Sequence, residues 1–204
     1  FPERHGVWDR AETALSGLCD QLGARLLVVP GVPMNGAETA QALEHCRRES
    51  VDFVLLLHGG FTMGDVARTI AASEFRAGFW SVPEPVRTGD VQLNNFVSLN
   101  MSMSIARGVR DLRVRPVQWY HGAPESPALQ ARLGTTIRAL TAARALQGAR
   151  VGVVGGLAMT FYNMEVSTNA LRTRLGVEVA HHDIHELTGR MAGIDAARAG
   201  AEVA

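Results

Sequence analysis

One run constrains the fold more than any other. Val51-Asp-Phe-Val-Leu-Leu-Leu57 is apolar on consecutive rather than alternate residues, and it stops at His58-Gly59-Gly60. A strand that is apolar on both faces has to be covered on both faces, which is the condition of a parallel sheet between layers of helices. The rest of the chain supplies such layers. Trp8–Leu22 carries Trp8, Ala11, Leu15, Leu18, Cys19 and Leu22 at helical spacing and ends at Gly23, Arg25–Val29 reads as a short buried strand, and Gly36–Ser50 reads as a helix with Ala40, Leu43 and either Cys46 or Arg47 inward. A further helix starts at Asp65 with Val66, Ile70 and Phe75 as core candidates, and Gly78–Val82 is the next strand. Val114–Trp119 is a strand, Ser126–Gln147 a long helix with Leu129, Leu133, Ile137, Leu140 and Leu146 as its stripe, and Arg150–Val154 a strand. Asn163–Leu175, Val177–Ala180 and Ile184–Met191 continue the alternation as helix, strand and helix.

Strands alternating with helices predict an α/β fold: a Rossmann-like or flavodoxin-like parallel sheet over residues 1–147, then the opening of a second α/β domain over 148–204. In such sheets ligands bind beyond the carboxyl ends of the strands. That rule collects His58–Phe61, Trp80–Gln92, Gln118–His121 and Gly155–Met159 on one rim. The richest of these is Ala77–Gly108, AGFWSVPEPVRTGDVQLNNFVSLNMSMSIARG. Pro83 and Pro85 stop the strand, a polar excursion with Glu84, Arg87, Asp90, Gln92, Asn94 and Asn95 follows, and Asn100–Arg107 reads as a helix alternating Met with Ser. A connection this long is functional or disordered, and Phe79, Trp80, Leu93, Phe96, Val97 and Leu99 argue against disorder.

Composition narrows the function. The 204 residues carry as many acidic as basic side chains, so bulk charge gives no case for nucleic acid or an anionic membrane. Every basic residue is Arg, so this chain supplies no Schiff-base lysine and no P-loop lysine. Cys19 and Cys46 form no metal or redox spacing, which fits a reducing, cytoplasmic setting. No apolar run reaches the roughly 18 residues of a membrane span. The chain does not open on Met, and it reads as a piece of something longer.

Several features have two readings. Gly155-Gly156 follows a strand but lacks GxGxxG, which leaves nucleotide binding a minor alternative. His181, His182 and His185 with Asp183 could bind metal, yet neighbours on a strand face opposite ways. Trp80 and Trp119 are core aromatics or ligand-facing ones, and His58 is a structural residue or a substrate contact. Arg87, Arg107 and Arg110 are surface cations or partners of a sulfonate, phosphate or carboxylate.

Taken in order, LLLHGGFTMGD, FWSVPEPVRTGDVQLNNFVSLNMSMSIARG, VGVVGGLAMTFYN and LRTRLGVEVAHHDIHELTGRM resemble the amino-terminal region of the L-fucose and L-arabinose isomerases. The resemblance implies an aldose–ketose isomerase working through an enediol at a divalent metal, usually Mn²⁺, in a homo-oligomer, commonly a hexamer, with active sites shared between subunits. It implies that Trp80 packs against sugar, that His58 and Phe61 line the pocket, that Asn100 and Met101 fall on an Asn-Gln pair, and that Met159 lines the sugar site. Gln92 joins this substrate-binding set on polarity and placement alone. The metal ligands and catalytic acids of the family lie further along than Ala204, so no catalytic or metal-binding residue is expected in this chain. The alternatives are a non-catalytic sugar-binding module and a nucleotide-dependent enzyme.

Overall fold

A computed structural model describes residues 6–85, 88–90, 93–113, 115–157, 159–195 and 200. It is an α/β structure with parallel sheets, and it divides into two compact units, 1–140 and 141–204, the division falling within one long helix.

In the first unit a three-stranded parallel sheet runs in the order β1 (Phe53–His58), β2 (Arg76–Ser81), β3 (Val117–His121). β3 starts three residues later than the sequence suggests, after Pro116, which has no N–H to give to a ladder. Helices cover both faces. On one lie α2 (Gly36–Arg48), α3 (Gly64–Ala72) and α4 (Asn95–Val109), closing over Phe79, Ala77 and Val117 with Leu43, Val66, Ile70, Leu99 and Ala106. On the other, α1 (Val7–Gln21) and α5 (Pro127–Leu146) close over Trp80 and Tyr120 with Val7, Ala11, Leu129 and Leu133. Both faces of β2 are therefore dry, whereas β1, which carries the unbroken apolar run, lies at the edge of the three strands and is only half-buried from Phe53 to Leu57.

Helix starts follow local chemistry. Asn35 Oδ1 accepts from Glu38 N at 2.9 Å, while Glu38 Oε2 accepts from Met34 N at 2.8 Å, which is a reciprocal cap. Pro127 opens α5, where its missing N–H costs nothing.

Two sequence expectations are corrected. Arg25–Val29 is not a strand. Val29 packs on the core, and Arg25 is clamped to the Glu49 carboxylate at 3.0 Å and to its carbonyl at 2.9 Å, so side chains hold the segment without a ladder. Asn163–Leu175 is also not one helix. Tyr162–Met164 makes a single 3₁₀ turn, the chain extends, and α6 (Thr168–Leu175) begins behind Ser167, whose hydroxyl accepts from Ala170 N at 3.2 Å.

Gly78, at the centre of β2, is fixed by packing. A Cβ there would lie 2.6 Å from Phe53 Cζ, 3.0 Å from Tyr120 Cε2 and 3.2 Å from Leu55 Cδ1. Gly78→Ala is accordingly expected to destabilise the first unit by about 1–3 kcal/mol through overpacking. Urea unfolding followed by tryptophan fluorescence reads this cleanly, because Trp8, Trp80 and Trp119 all lie in the first unit.

The second unit holds β4 (Arg150–Val154) paired in parallel with β5 (Glu178–His182), with α6 between them in sequence and α7 (Ile184–Ala192) after them. Val151, Val153 and Val154 remain 49%, 39% and 46% exposed. No helix among the described residues is long and apolar enough to cross a membrane.

Candidate functional site

Parallel strands bring their carboxyl ends to one side, and here the register aligns them residue for residue. His58 pairs with Ser81 and Ser81 with His121, so the last residues of β1, β2 and β3 form one row. The row before it, Leu57, Trp80 and Tyr120, faces α1 and α5, and by alternation the terminal row faces α2–α4.

His58 is fully buried. Its Nδ1 lies 2.7 Å from Thr62 Oγ1, its ring centroid lies 6.1 Å from that of Phe79, and Nε2 has no partner among the described residues. Burial lowers its pKa from 6.5 to about 4, so the ring is neutral at neutral pH. Thr62 N donates to Ser98 Oγ on α4 at 3.0 Å, which ties the turn after β1 to that helix. Ser81 Oγ and His121 Nδ1 are 2.8 Å apart, and the His121 ring meets Phe96 edge-on.

The polar excursion after β2 is closed at its neck. Glu84 accepts from Leu93 N at 2.9 Å and from Asn95 N at 3.0 Å, and Asn95 Nδ2 donates to Val82 O at 3.2 Å. Glu84 thus supplies the cap that Asn94, itself left-handed at φ 55°, does not. A carboxylate at that point also complements the positive end of the helix. The inward face of α4 includes three fully buried polar side chains, Asn95, Ser98 and Ser102, beside Leu99 and Ala106. Asn95 Oδ1 and Ser102 Oγ are buried without partners among the described residues.

The sequence-predicted residues fall in different places. His58 and Phe61 share the turn after β1, Phe61 being 56% exposed. Trp80 is fully buried on the α1/α5 side and its indole N–H donates to Gly122 O at 3.0 Å, so the ring stands in the core. Trp119 is 47% exposed, with the Arg132 guanidinium 4.8 Å over its ring. Asn100 is exposed and Met101 half-buried in the second turn of α4. Gln92 lies outside the described residues, as does Arg87. Met159 is exposed in the second unit. Sequence reasoning did not single out Thr62, Ser81, Ser98 and His121, nor the capping role of Glu84.

Arg110 is structural. It is buried, and its Nη2 donates to Ser73 O at 2.7 Å and Phe75 O at 3.0 Å, at the entry to β2 and far from the rim. His182 Nδ1 meets Glu186 Oε2 at 3.0 Å, and among the described residues no three His, Cys, Asp or Glu side chains converge to hold a metal ion. The Mn²⁺ of the resemblance therefore finds no fitting donor set among them.

Comparison with known proteins adds a name for the relatives. No protein-family model matches the chain. It is similar to proteins called sulfoquinovose isomerase. The one from Alkalicoccus urumqiensis is 28% identical over 111 residues, 54% of this chain and 24% of that protein. Those from Priestia aryabhattai and Priestia megaterium are each 26% identical over 173 residues, 84% of this chain and 37% of theirs. The chain thus spans little more than a third of the length of these curated relatives. They are sugar isomerases, named for a sugar other than the L-fucose and L-arabinose of the sequence resemblance.

Proposed function

We propose that this chain is the amino-terminal, substrate-recognising part of an aldose–ketose isomerase acting on a substituted hexose, with a sulfonated sugar as the leading candidate. The observation that carries the reading is its similarity, over 84% of its length, to two proteins named for the isomerisation of sulfoquinovose. The rim of the first unit suits the task. Sugars are held by hydroxyl and amide groups around an aromatic or aliphatic floor, and the ends of β1–β3 offer half-buried Thr62 and exposed His121, held from behind by the buried Ser98 and Ser81, beside exposed Phe61 and Phe96.

The chemistry moves a hydrogen between C1 and C2 through an enediol, and it needs a base, an acid and a group that polarises the oxygens. In this proposal the last is a divalent ion such as Mn²⁺, held by residues other than those described. The homo-oligomer belongs to the same proposal. What this chain contributes is placement. Glu84 occupies the amino end of α4 with a negative charge, and Arg10, which reaches the loop after β3, already meets Glu125 at 3.5 Å. A sulfonate is therefore better accommodated away from the start of α4, with the neutral hydroxyl end of the sugar against the rim.

The test is ketose formation by the full-length isomerase of which this chain is proposed to be a part, from sulfoquinovose, glucose, L-fucose and L-arabinose, with and without Mn²⁺. Metal-dependent turnover of sulfoquinovose alone is the expected result. Saturable sugar binding with no ketose under any metal would replace the isomerase with a sugar-binding module.

A further inference from the structure

The three residues that end β1, β2 and β3 are not equivalent. His58 and Ser81 are fully buried, whereas His121 is exposed on the edge strand. Its ring is nevertheless held from two sides. Ser81 Oγ lies 2.8 Å from Nδ1, and Phe96 at the start of α4 meets the imidazole with centroids 5.0 Å apart and planes at 73°. An exposed imidazole ordinarily turns about its two side-chain torsions; this one has a defined aspect.

The Ser81 hydroxyl also decides which nitrogen carries the proton. A buried O–H has to donate, and the recorded bond of this one goes to His121. Nδ1 is then the acceptor and the proton sits on Nε2. One polar atom of the ring remains, an N–H donor, and among the described residues no protein group is recorded as accepting from it. Phe96, 56% exposed, lies beside it as an apolar surface. Next to Phe96, Asn95 N already donates to the Glu84 carboxylate, which repels an anion at this corner.

The geometry points to His121 as a substrate-contacting residue in which Ser81 fixes the imidazole, so that Nε2–H donates to an uncharged oxygen of the sugar, a hydroxyl or the carbonyl, while Phe96 meets its C–H face. This rests on the sugar reading above. It assigns separate roles: His121 touches the ligand, and Ser81 is a positioning residue.

In the full-length isomerase of the proposal, loss of one such hydrogen bond to substrate is expected to raise KM for sulfoquinovose about 10–100-fold in His121→Ala, with His121→Gln, whose amide N–H can approach the place of Nε2, recovering most of it. An unchanged KM in a folded His121→Ala protein overturns the assignment. A second measurement needs no variant at the contact: ¹⁵N-histidine NMR of the unmodified protein. The expected spectrum shows His121 as the Nε2–H tautomer, a mixture of tautomers in Ser81→Ala, and a shift of His121 Nε2 on addition of sulfoquinovose while His45 stays still. An Nδ1–H tautomer overturns the role of Ser81. If sugar moves other resonances but not His121, the contact is wrong and the sugar reading survives; if saturating sugar moves nothing, both fall together.

Discussion

Trp80→Ala is expected to cost the first unit about 3–5 kcal/mol, the range for removing a buried tryptophan without collapse of the space it leaves. The ring is completely enclosed between Val7, Ala11, Tyr120, Leu129 and Leu133. Truncation would therefore uncouple α1 and α5 from the sheet, and with a total of roughly 5–15 kcal/mol for a domain this is a large share of the whole. Trp80→Phe separates two roles. It keeps most of the apolar area and loses the 3.0 Å bond to Gly122 O, leaving that carbonyl without its donor at about 1–2 kcal/mol. Urea unfolding read by the remaining Trp8 and Trp119 measures both. If Trp80→Phe instead leaves stability intact and raises KM for sugar, the ring has a ligand-facing role as the isomerase resemblance implies, and the packing described here is not the one the working protein uses.

The second large effect is on pH. His58 titrates near 6.5 when unfolded and at about 4 in the fold, because burial disfavours the charged ring. The native state thus binds the proton less readily than the unfolded one. Its stability is full above pH 6.5, falls as pH drops through the interval to about 4, and stops falling on this account below that. The gap corresponds to about 3 kcal/mol. His58→Gln, able to keep a bond to Thr62, is expected to flatten the curve over that interval, so the wild-type advantage at pH 7 shrinks or reverses at pH 4. Urea midpoints for both proteins across the range decide it; parallel curves would mean that the ring is not buried as described.

Much of the architecture was legible because it depends on patterns that local chemistry sets. The unbroken run before His58 demanded a doubly covered strand, and β1 is that strand. The helices expected from Gly36, Ser126 and Ile184 begin at Gly36, Pro127 and Ile184. The site was legible only as a rim. Which residues meet there depends on ladder register, and a register is a relation between segments that no single segment displays. The two tryptophans show the same limit: in FWS and QWYH they look alike, yet Trp80 lies on the central strand β2 and is enclosed, while Trp119, opposite the buried Phe79, lies on the edge strand β3 and stays exposed. Ser81 and His121 lay within stretches assigned to the rim, but their pairing depends on the register and could not be read. Glu84 was hidden because a cap contributed from nine and eleven residues away leaves no local spacing to read.

The neck formed by Val82, Glu84, Leu93 and Asn95 has a consequence for how such a protein can diversify. Among the described residues, its recorded hydrogen bonds join the two ends of the excursion, Val82 and Glu84 on one side with Leu93 and Asn95 on the other. Closing a longer insert costs little once the ends are fixed, about 0.6 kcal/mol for each doubling of length. A frame closed at its neck in this way tolerates a change in the length of what it closes, so an insertion after Glu84 is expected to leave the sheet register and the start of α4 in place.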